Sequence, residues 1–584
     1  MDTLAPAVAG TTSAAQAAAI APKQCTGDAL DALVHAAEAH ATYGLSPVAL
    51  GLAFIDWATH LANAPFRRLG LAKLALLQPS RLFEAGWGRT AIAPAPGDHR
   101  FQSAGWQTQP FNLIHQAFLL GEEWWAAAGS APQGTARADD RLVSFAARQW
   151  VDVFSPSNVP WLNPEVIDAT VATSGENLRR GMMNWLEDIR EALGGTPPSN
   201  GFVIGENLAA TPGKVIVRNE LIELIQYAPA TPRVRREPIL IVPAWIMKYY
   251  ILDLSPHNSL IRWLVSQGHT VFAISWRNPP AEMSETSIED YRTKGVLAAL
   301  DAVGSVCAGA RTHAVGYCLG GTLLSVAAAA LARDGDHRLA SVTLFAAQTD
   351  FTEAGELQLF ITEDQLDFLD DLMRVQGYLD SCQMAGAFGM LRSNDLIWSR
   401  AIRQYLLGER EHSSDLMAWN ADGTRLPARM HSEYLHRLFQ DNELAQGHFT
   451  AGGKPVSIGD IRVPLFVVGT ETDHIAPWRS VYKLHLLNDG DLTFVLTSGG
   501  HNAGVVSEPG HLRRHYRIHR HRPGMRYLGP DDWVVQAELR AGSWWPAWQA
   551  WLTAHSSEEI APPPLGDGQY PPIDEAPGRY VREH

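Results

Sequence analysis

The chain has 584 residues, a formal net charge of −15 at pH 7 and 46% hydrophobic residues, a composition that allows a large core in more than one structural unit. The acidic balance argues against nucleic acid as the main partner, and an anionic substrate would need a local basic patch. Four cysteines, Cys25, Cys307, Cys318 and Cys382, lie far apart without metal-ligand spacing, which fits a reducing compartment and argues against a disulfide framework or a metal centre.

Residues 1–25 read as a disordered tail. Its first part is rich in Ala and Thr, without a basic start or a continuous apolar run, so it is neither a secretory signal nor a transmembrane span. A mainly helical N-terminal domain is expected over 26–195. In it, Ser46-Pro47 is an N-cap followed by proline at the first helical position, and Leu50, Phe54, Trp57 and Leu61 recur at helical spacing as far as Pro65. Residues 78–98 turn to Pro, Gly and Ala and read as a connector; aromatics follow, among them Trp106, Phe111, Phe118, Trp124 and Trp125. Gly194-Gly-Thr-Pro-Pro-Ser-Asn200 marks a boundary, and a second domain is expected over 196–584.

Beyond it the hydrophobic period changes. Residues 239–243 (ILIVP), 270–275 (TVFAIS) and 313–316 (HAVG) read as buried strands, separated by helical patterns at 259–266 and 286–307. Thr286 and Glu289 stand in capping-box spacing at the start of the second helix. Alternation of this kind predicts a parallel, doubly wound sheet.

The third strand runs into Gly316-Tyr-Cys-Leu-Gly320 and then an alanine-rich helix, the pattern of a nucleophile elbow, in which small residues two before and two after the nucleophile let strand and helix cross. A GxCxG string alone equally describes a buried structural cysteine, so the partners decide. Downstream, the strand 464–470 ends in a loop presenting Asp473, and the strand 492–497 ends in a loop presenting His501. Nucleophile, acid, histidine is the chain order of the α/β-hydrolases. That fold is therefore expected, with an insertion of about 347–455 forming a cap whose aromatics, such as Phe360, Phe368, Trp398 and Trp419, line an acyl site or fill the cap's core. The His- and Arg-rich stretch 511–522 suits a strand with a solvated face better than a metal site, and the Pro-rich 561–584 is expected to be extended or loose.

Such a site would perform acyl transfer. His501 takes the Cys318 proton, Asp473 orients the imidazole, and the oxyanion is held by the Leu319 N–H with a second N–H near Trp245 or Ile246. Cysteine suits a substrate that is itself a thioester, because acyl exchange between two sulfurs is nearly thermoneutral.

With these residues in view, the chain closely resembles the polyhydroxyalkanoate synthases, enzymes that polymerise (R)-3-hydroxyacyl-CoA into storage polyester. The strings that carry the likeness are SPSN at 155–158, FVIGENLAATP at 202–212, ILIVPAWIMKYYILDL at 239–254, QGHTVFAISWRNP at 267–279, GYCLGGT at 316–322, LRSNDLIW at 391–398 and WNADGTRLP at 419–427, with the Asp473 and His501 loops. One departure is Pro243-Ala-Trp-Ile-Met247, where the family often shows Pro-Pro-Trp-Ile-Asn. The resemblance implies the triad Cys318, Asp473 and His501, the single-subunit type, and a cytoplasmic homodimer on the polyester granule among granule-associated proteins. It also implies no cofactor, since coenzyme A is part of the substrate and the leaving group. Arg392 is the position for CoA phosphates, His474 for steadying the active-site loops and Trp419 for the acyl site, each against an ordinary structural role. Two other readings remain: a cysteine-dependent thioesterase of the same fold, and a silent scaffold coating granules through its amphipathic helix.

Overall fold

The computed structural model describes residues 35, 42, 46–95, 98–130, 137–192, 201–391, 397–410, 413–511 and 513–584. The tail 1–25, the boundary 194–200 and Arg392 lie outside the described residues.

The N-terminal part is helical. Helix α1, Pro47–Ala62, opens where Ser46 Oγ accepts from the Ala49 N–H at 3.2 Å, the cap that the Ser-Pro pair predicts. Leu50 and Trp57 of its apolar stripe pack with Ala53 against Leu142 and Val143, whereas Phe54 is exposed. Helix α2, Pro65–Gly86, runs through the start of the expected connector, with Pro79 inside it. The ladder bond that Pro79 removes is offset by contacts with α3, Phe111–Gly129: Gln78 Nε2 donates to Leu120 O at 2.6 Å, and Arg81 pairs with Glu123 at 2.5 Å. Helices α4 (Arg137–Val153), α5 (Pro164–Ala172) and α6 (Glu176–Ala192) follow. Buried Arg100 pairs with Asp98, Glu122 and Asp152, tying the chain before α3 to α3 and α4.

One large sheet carries the rest. Its strands are β1 (Gly213–Arg218), β2 (Ile222–Tyr227), β3 (Ile239–Val242), β4 (Val271–Trp276), β5 (Thr312–Tyr317), β6 (Leu339–Phe345), β7 (Leu465–Thr470), β8 (Leu492–Thr497), β9 (His515–His521), β10 (Glu538–Ala541) and β11 (Asp574–Glu575). Their order is β10-β9-β8-β7-β6-β5-β3-β4-β2-β1-β11. The centre, β4-β3-β5-β6-β7-β8, is parallel, as the unbroken apolar runs of these strands predict. Both margins are antiparallel: β2, β1 and β11 on one side, β9 and β10 on the other. The His-rich stretch is thus a strand of the sheet, and the Pro-rich end packs extended, with Val581 fully buried.

Between β4 and β5 the capping box is formed by Ser287 and Asp290, one residue later than the spacing of Thr286 and Glu289 suggests. Glu289 is instead held by Arg292 at 2.6 Å, which leaves Asp290 to accept from the Ser287 N–H. A π-helical turn over 291–297 then leads into α7, Ala298–Val306. Helix α8, Leu319–Arg333, follows β5 and is buried almost throughout on one face of the sheet. On the other face Trp544, Trp545 and Trp548 pack with Phe345.

The insertion between β6 and β7 includes α9, Glu363–Gln376. The N-terminal helices lie against this insertion: the Ser46 N–H donates to Gln365 Oε1 at 2.8 Å, Phe145 meets Phe360 edge-on at 5.9 Å, and Asn184 Nδ2 donates to Gln404 O at 2.9 Å.

Candidate active site

Cys318 is the turn between β5 and α8, at φ 51° and ψ −123°, a sparsely populated conformation for a residue with a Cβ. The crossing behind it has no room for side chains: a Cβ on Gly316 would lie 2.4 Å from Gly321 Cα, and one on Gly320 would lie 2.2 Å from Val242 O. Leu319 takes the first helical position, so its N–H is among the donors that a helix leaves without an intrahelical partner.

Asp473, in the loop after β7, is fixed by local bonds. Its Oδ1 accepts from the Ile475 and Ala476 N–H groups, both at 2.9 Å, and its Oδ2 from Thr470 Oγ1 at 2.9 Å. The same Oδ2 lies 2.8 Å from His501 Nδ1, so the imidazole is held through one ring nitrogen, and Cys318 is near enough to affect its charge. Both members of the pair are buried. Burial works against the imidazolium, but the Asp473 carboxylate and then Cys318 outweigh it and hold the His501 pKa well above 6.5. For Asp473 burial likewise opposes the charge, and His501 with the N–H donors holds its pKa below 3.8. The two shifts are one interaction seen from each partner.

The structure therefore brings Cys318, Asp473 and His501 together. Trp245 and Ile246 lie in the loop after β3, against which α8 packs through Gly320; Trp245 is buried beside Trp276 and Tyr291. His474 and Asp473 line a crevice of about 410 Å³ with Gly355, Glu356, Leu359, Pro477 and Arg141, the last from helix α4 of the N-terminal part. Trp419 is buried, its indole N–H donating to Lys248 O at 2.8 Å.

Several neighbours escape a reading of the sequence. Tyr317 lies with its ring 5.6 Å from that of His501 and donates to Asn502 Oδ1 at 2.6 Å. Tyr434, from the insertion between β6 and β7, is buried, and burial followed by the proximity of Cys318 raises its pKa. Tyr317 adjoins Cys318 in sequence, which is a signal; Tyr434 has none. Among the described residues no cluster of His, Cys, Asp or Glu could hold a metal ion, and no helix is long and apolar enough to cross a membrane.

Fold and site together define an α/β-hydrolase-fold protein with cysteine at the sharp turn between β5 and α8, and the family described as alpha/beta hydrolase fold matches residues 237–507. Two further family matches are described as the N-terminus of poly-beta-hydroxybutyrate polymerase, over 97–264 and 26–67. The poly(3-hydroxyalkanoate) polymerase of Methylorubrum extorquens is 41% identical over 502 residues, covering 84% of this chain and 82% of that one. The polymerase subunit PhaC of Rhizobium meliloti is 39% identical, covering 83% and 79%, and that of Cupriavidus necator 35% identical, covering 91% of each. The chain belongs to the poly(3-hydroxyalkanoate) polymerases, a family of acyltransferases.

Proposed function

We propose that the protein polymerises (R)-3-hydroxyacyl-CoA, in the first instance (R)-3-hydroxybutyryl-CoA, through a thioester on Cys318. The observation that carries this reading is the His501–Asp473 bond beside Cys318, which sits at an elbow of positive φ. Membership of the polymerase family supplies the polymer as product.

The Cys318 sulfur attacks the thioester carbonyl while its proton rests on His501. The oxyanion is held by the Leu319 N–H and one from the 245–246 loop. Collapse breaks the bond to the CoA sulfur, which leaves with the proton from His501. The 3-hydroxyl of an acyl unit then gives its proton to His501 and attacks a thioester carbonyl, so an ester C–O bond forms and a C–S bond breaks, the departing sulfur taking that proton back from His501. Water is kept from the acyl-enzyme by the cap. No cofactor is needed, since coenzyme A enters as substrate and leaves as product. Arg392 is assigned to CoA phosphates and His474 to the loop beside the acid. For Trp419 the bond to Lys248 O favours support of the loop after β3 over contact with acyl groups. The protein works as a cytoplasmic homodimer on the polyester granule beside granule-associated proteins.

Mass spectrometry of the Cys318 peptide after brief exposure to (R)-3-hydroxybutyryl-CoA tests the covalent step. A hydroxyacyl adduct on Cys318, absent from Cys318→Ala, is expected; CoA release with the adduct elsewhere would overturn it.

A further inference from the structure

Four residues of the stretch 419–425 touch residues 245–250, the loop after β3 and the turn that follows it. Trp419 Nε1 donates to Lys248 O at 2.8 Å, and Tyr250 OH to Asp422 Oδ2 at 2.9 Å. Gly423 bridges Met247 in antiparallel register. Thr424 makes two bonds: Oγ1 to Trp245 O at 2.5 Å and N–H to Ile246 O at 3.2 Å. From the other side the Lys248 ammonium, itself buried, donates to Tyr580 O at 3.3 Å and Glu583 O at 2.5 Å, so the end of the chain clasps the same loop.

These bonds fix peptide planes. The 245–246 peptide is trans, and in a trans peptide the C=O and the N–H point in opposite directions. Holding Trp245 O on the Thr424 hydroxyl therefore sets the direction of the Ile246 N–H, and holding Ile246 O on the Thr424 N–H sets that of Met247. A flip of the first plane would exchange an N–H for a C=O and turn a negative dipole end toward a forming oxyanion.

We propose that Thr424 is a positioning residue: from the cap, it locks the peptides after Trp245 and Ile246 so that this loop keeps an N–H aimed at the oxyanion of the acyl group on Cys318. The lock rests on the acyl-transfer reading above, and it gives the WNADGTRLP string a physical role, as a splint along the oxyanion loop. Thr424 is 2% exposed, so the lock is not exchanged for water.

Thr424→Val keeps the bulk and removes the hydroxyl, and Thr424→Ser keeps the hydroxyl. Each is assayed for kcat and KM with (R)-3-hydroxybutyryl-CoA and for alkylation of Cys318 by iodoacetamide, in which a C–S bond forms, iodide leaves and no oxyanion arises. For Thr424→Val we expect kcat to fall about 10- to 100-fold, with KM and the alkylation rate within about twofold of wild type. Thr424→Ser restores most of kcat. Wild-type kcat in Thr424→Val would overturn the lock, as would a loss shared equally by Thr424→Ser and by alkylation. Should Thr424→Val not fold, Thr424→Ala is read in the same way. A wild-type protein that is alkylated yet releases no CoA would overturn the acyl-transfer reading and the lock with it, whereas a wild type that turns over beside an unimpaired Thr424→Val overturns the lock alone.

Discussion

At Cys318 a backbone conformation that costs a side-chain-bearing residue about 1–3 kcal/mol is held by its neighbours: the Cys318 N–H donates to Phe345 O at 2.9 Å, and Cys318 O accepts from the Gly321 and Thr322 N–H groups. Serine fits the same turn, so Cys318→Ser isolates the sulfur; CoA release should fall at least about 100-fold, and a rate near wild type would contradict a thiol mechanism. Asp473→Asn tests the ion pair instead. A carboxylate held below 3.8 adds stability that is present above 3.8 and lost as pH falls through the folded value. A histidine held above 6.5 adds stability that is present below 6.5 and lost as pH rises through the folded value. The difference in unfolding temperature between wild type and Asp473→Asn should therefore be greatest between these two values and shrink on either side, and an offset constant with pH would contradict the pair. Turnover of Asp473→Asn should drop by about 10²–10⁴-fold. The grouping of Cys318, Asp473 and His501 is legible in the sequence because each follows an apolar strand, in the chain order of the hydrolases. Tyr434 and Thr424 are not, because what they do is set by partners far away in the chain.

Among the elements, the crossing of β5 and α8 governs the site. Backbone meets backbone there: a Cβ on Gly320 would reach Val242 O at 2.2 Å and Pro243 O at 2.4 Å, and neither can swing aside as a side-chain end could. Gly320→Ala should destabilise the protein by roughly 3 kcal/mol or more and displace the loop that carries Trp245 and Ile246. Denaturant unfolding checks it; an unchanged midpoint would show that strand and helix can part at little cost. The parallel strands can be read from the sequence because strands covered on both faces are continuously apolar. The antiparallel margins are harder, since β10 is exposed along its length and β11 has only two residues. Helix α2 continues through Pro79 because α3 supplies partners that no local rule reveals, and the capping box shifts to Ser287 because Arg292 claims Glu289.

Over the whole molecule, the N-terminal helices rest on the cap insertion through Ser46, Phe145 and Asn184, and Arg141 reaches the crevice beside Asp473 and His474. Removal of the residues before 101 deletes α1 and α2 and, among the described residues, no strand. It should impair dimerisation, granule attachment or turnover more than it impairs unfolding of the sheet, as followed by light scattering, polymer pull-down and denaturation; unaltered turnover and attachment would show the region to be dispensable. This reach of one part into another could not be foreseen, because composition and periodicity mark each segment singly. The central claim is polymerisation through a cysteine thioester, and the measurement that addresses it most directly is CoA release, followed with a thiol reagent, on addition of (R)-3-hydroxybutyryl-CoA, with the acyl product recovered. The account predicts release accompanied by insoluble polyester, both abolished in Cys318→Ala. Release accompanied by free 3-hydroxybutyrate alone would contradict it and mark the protein as a thioesterase.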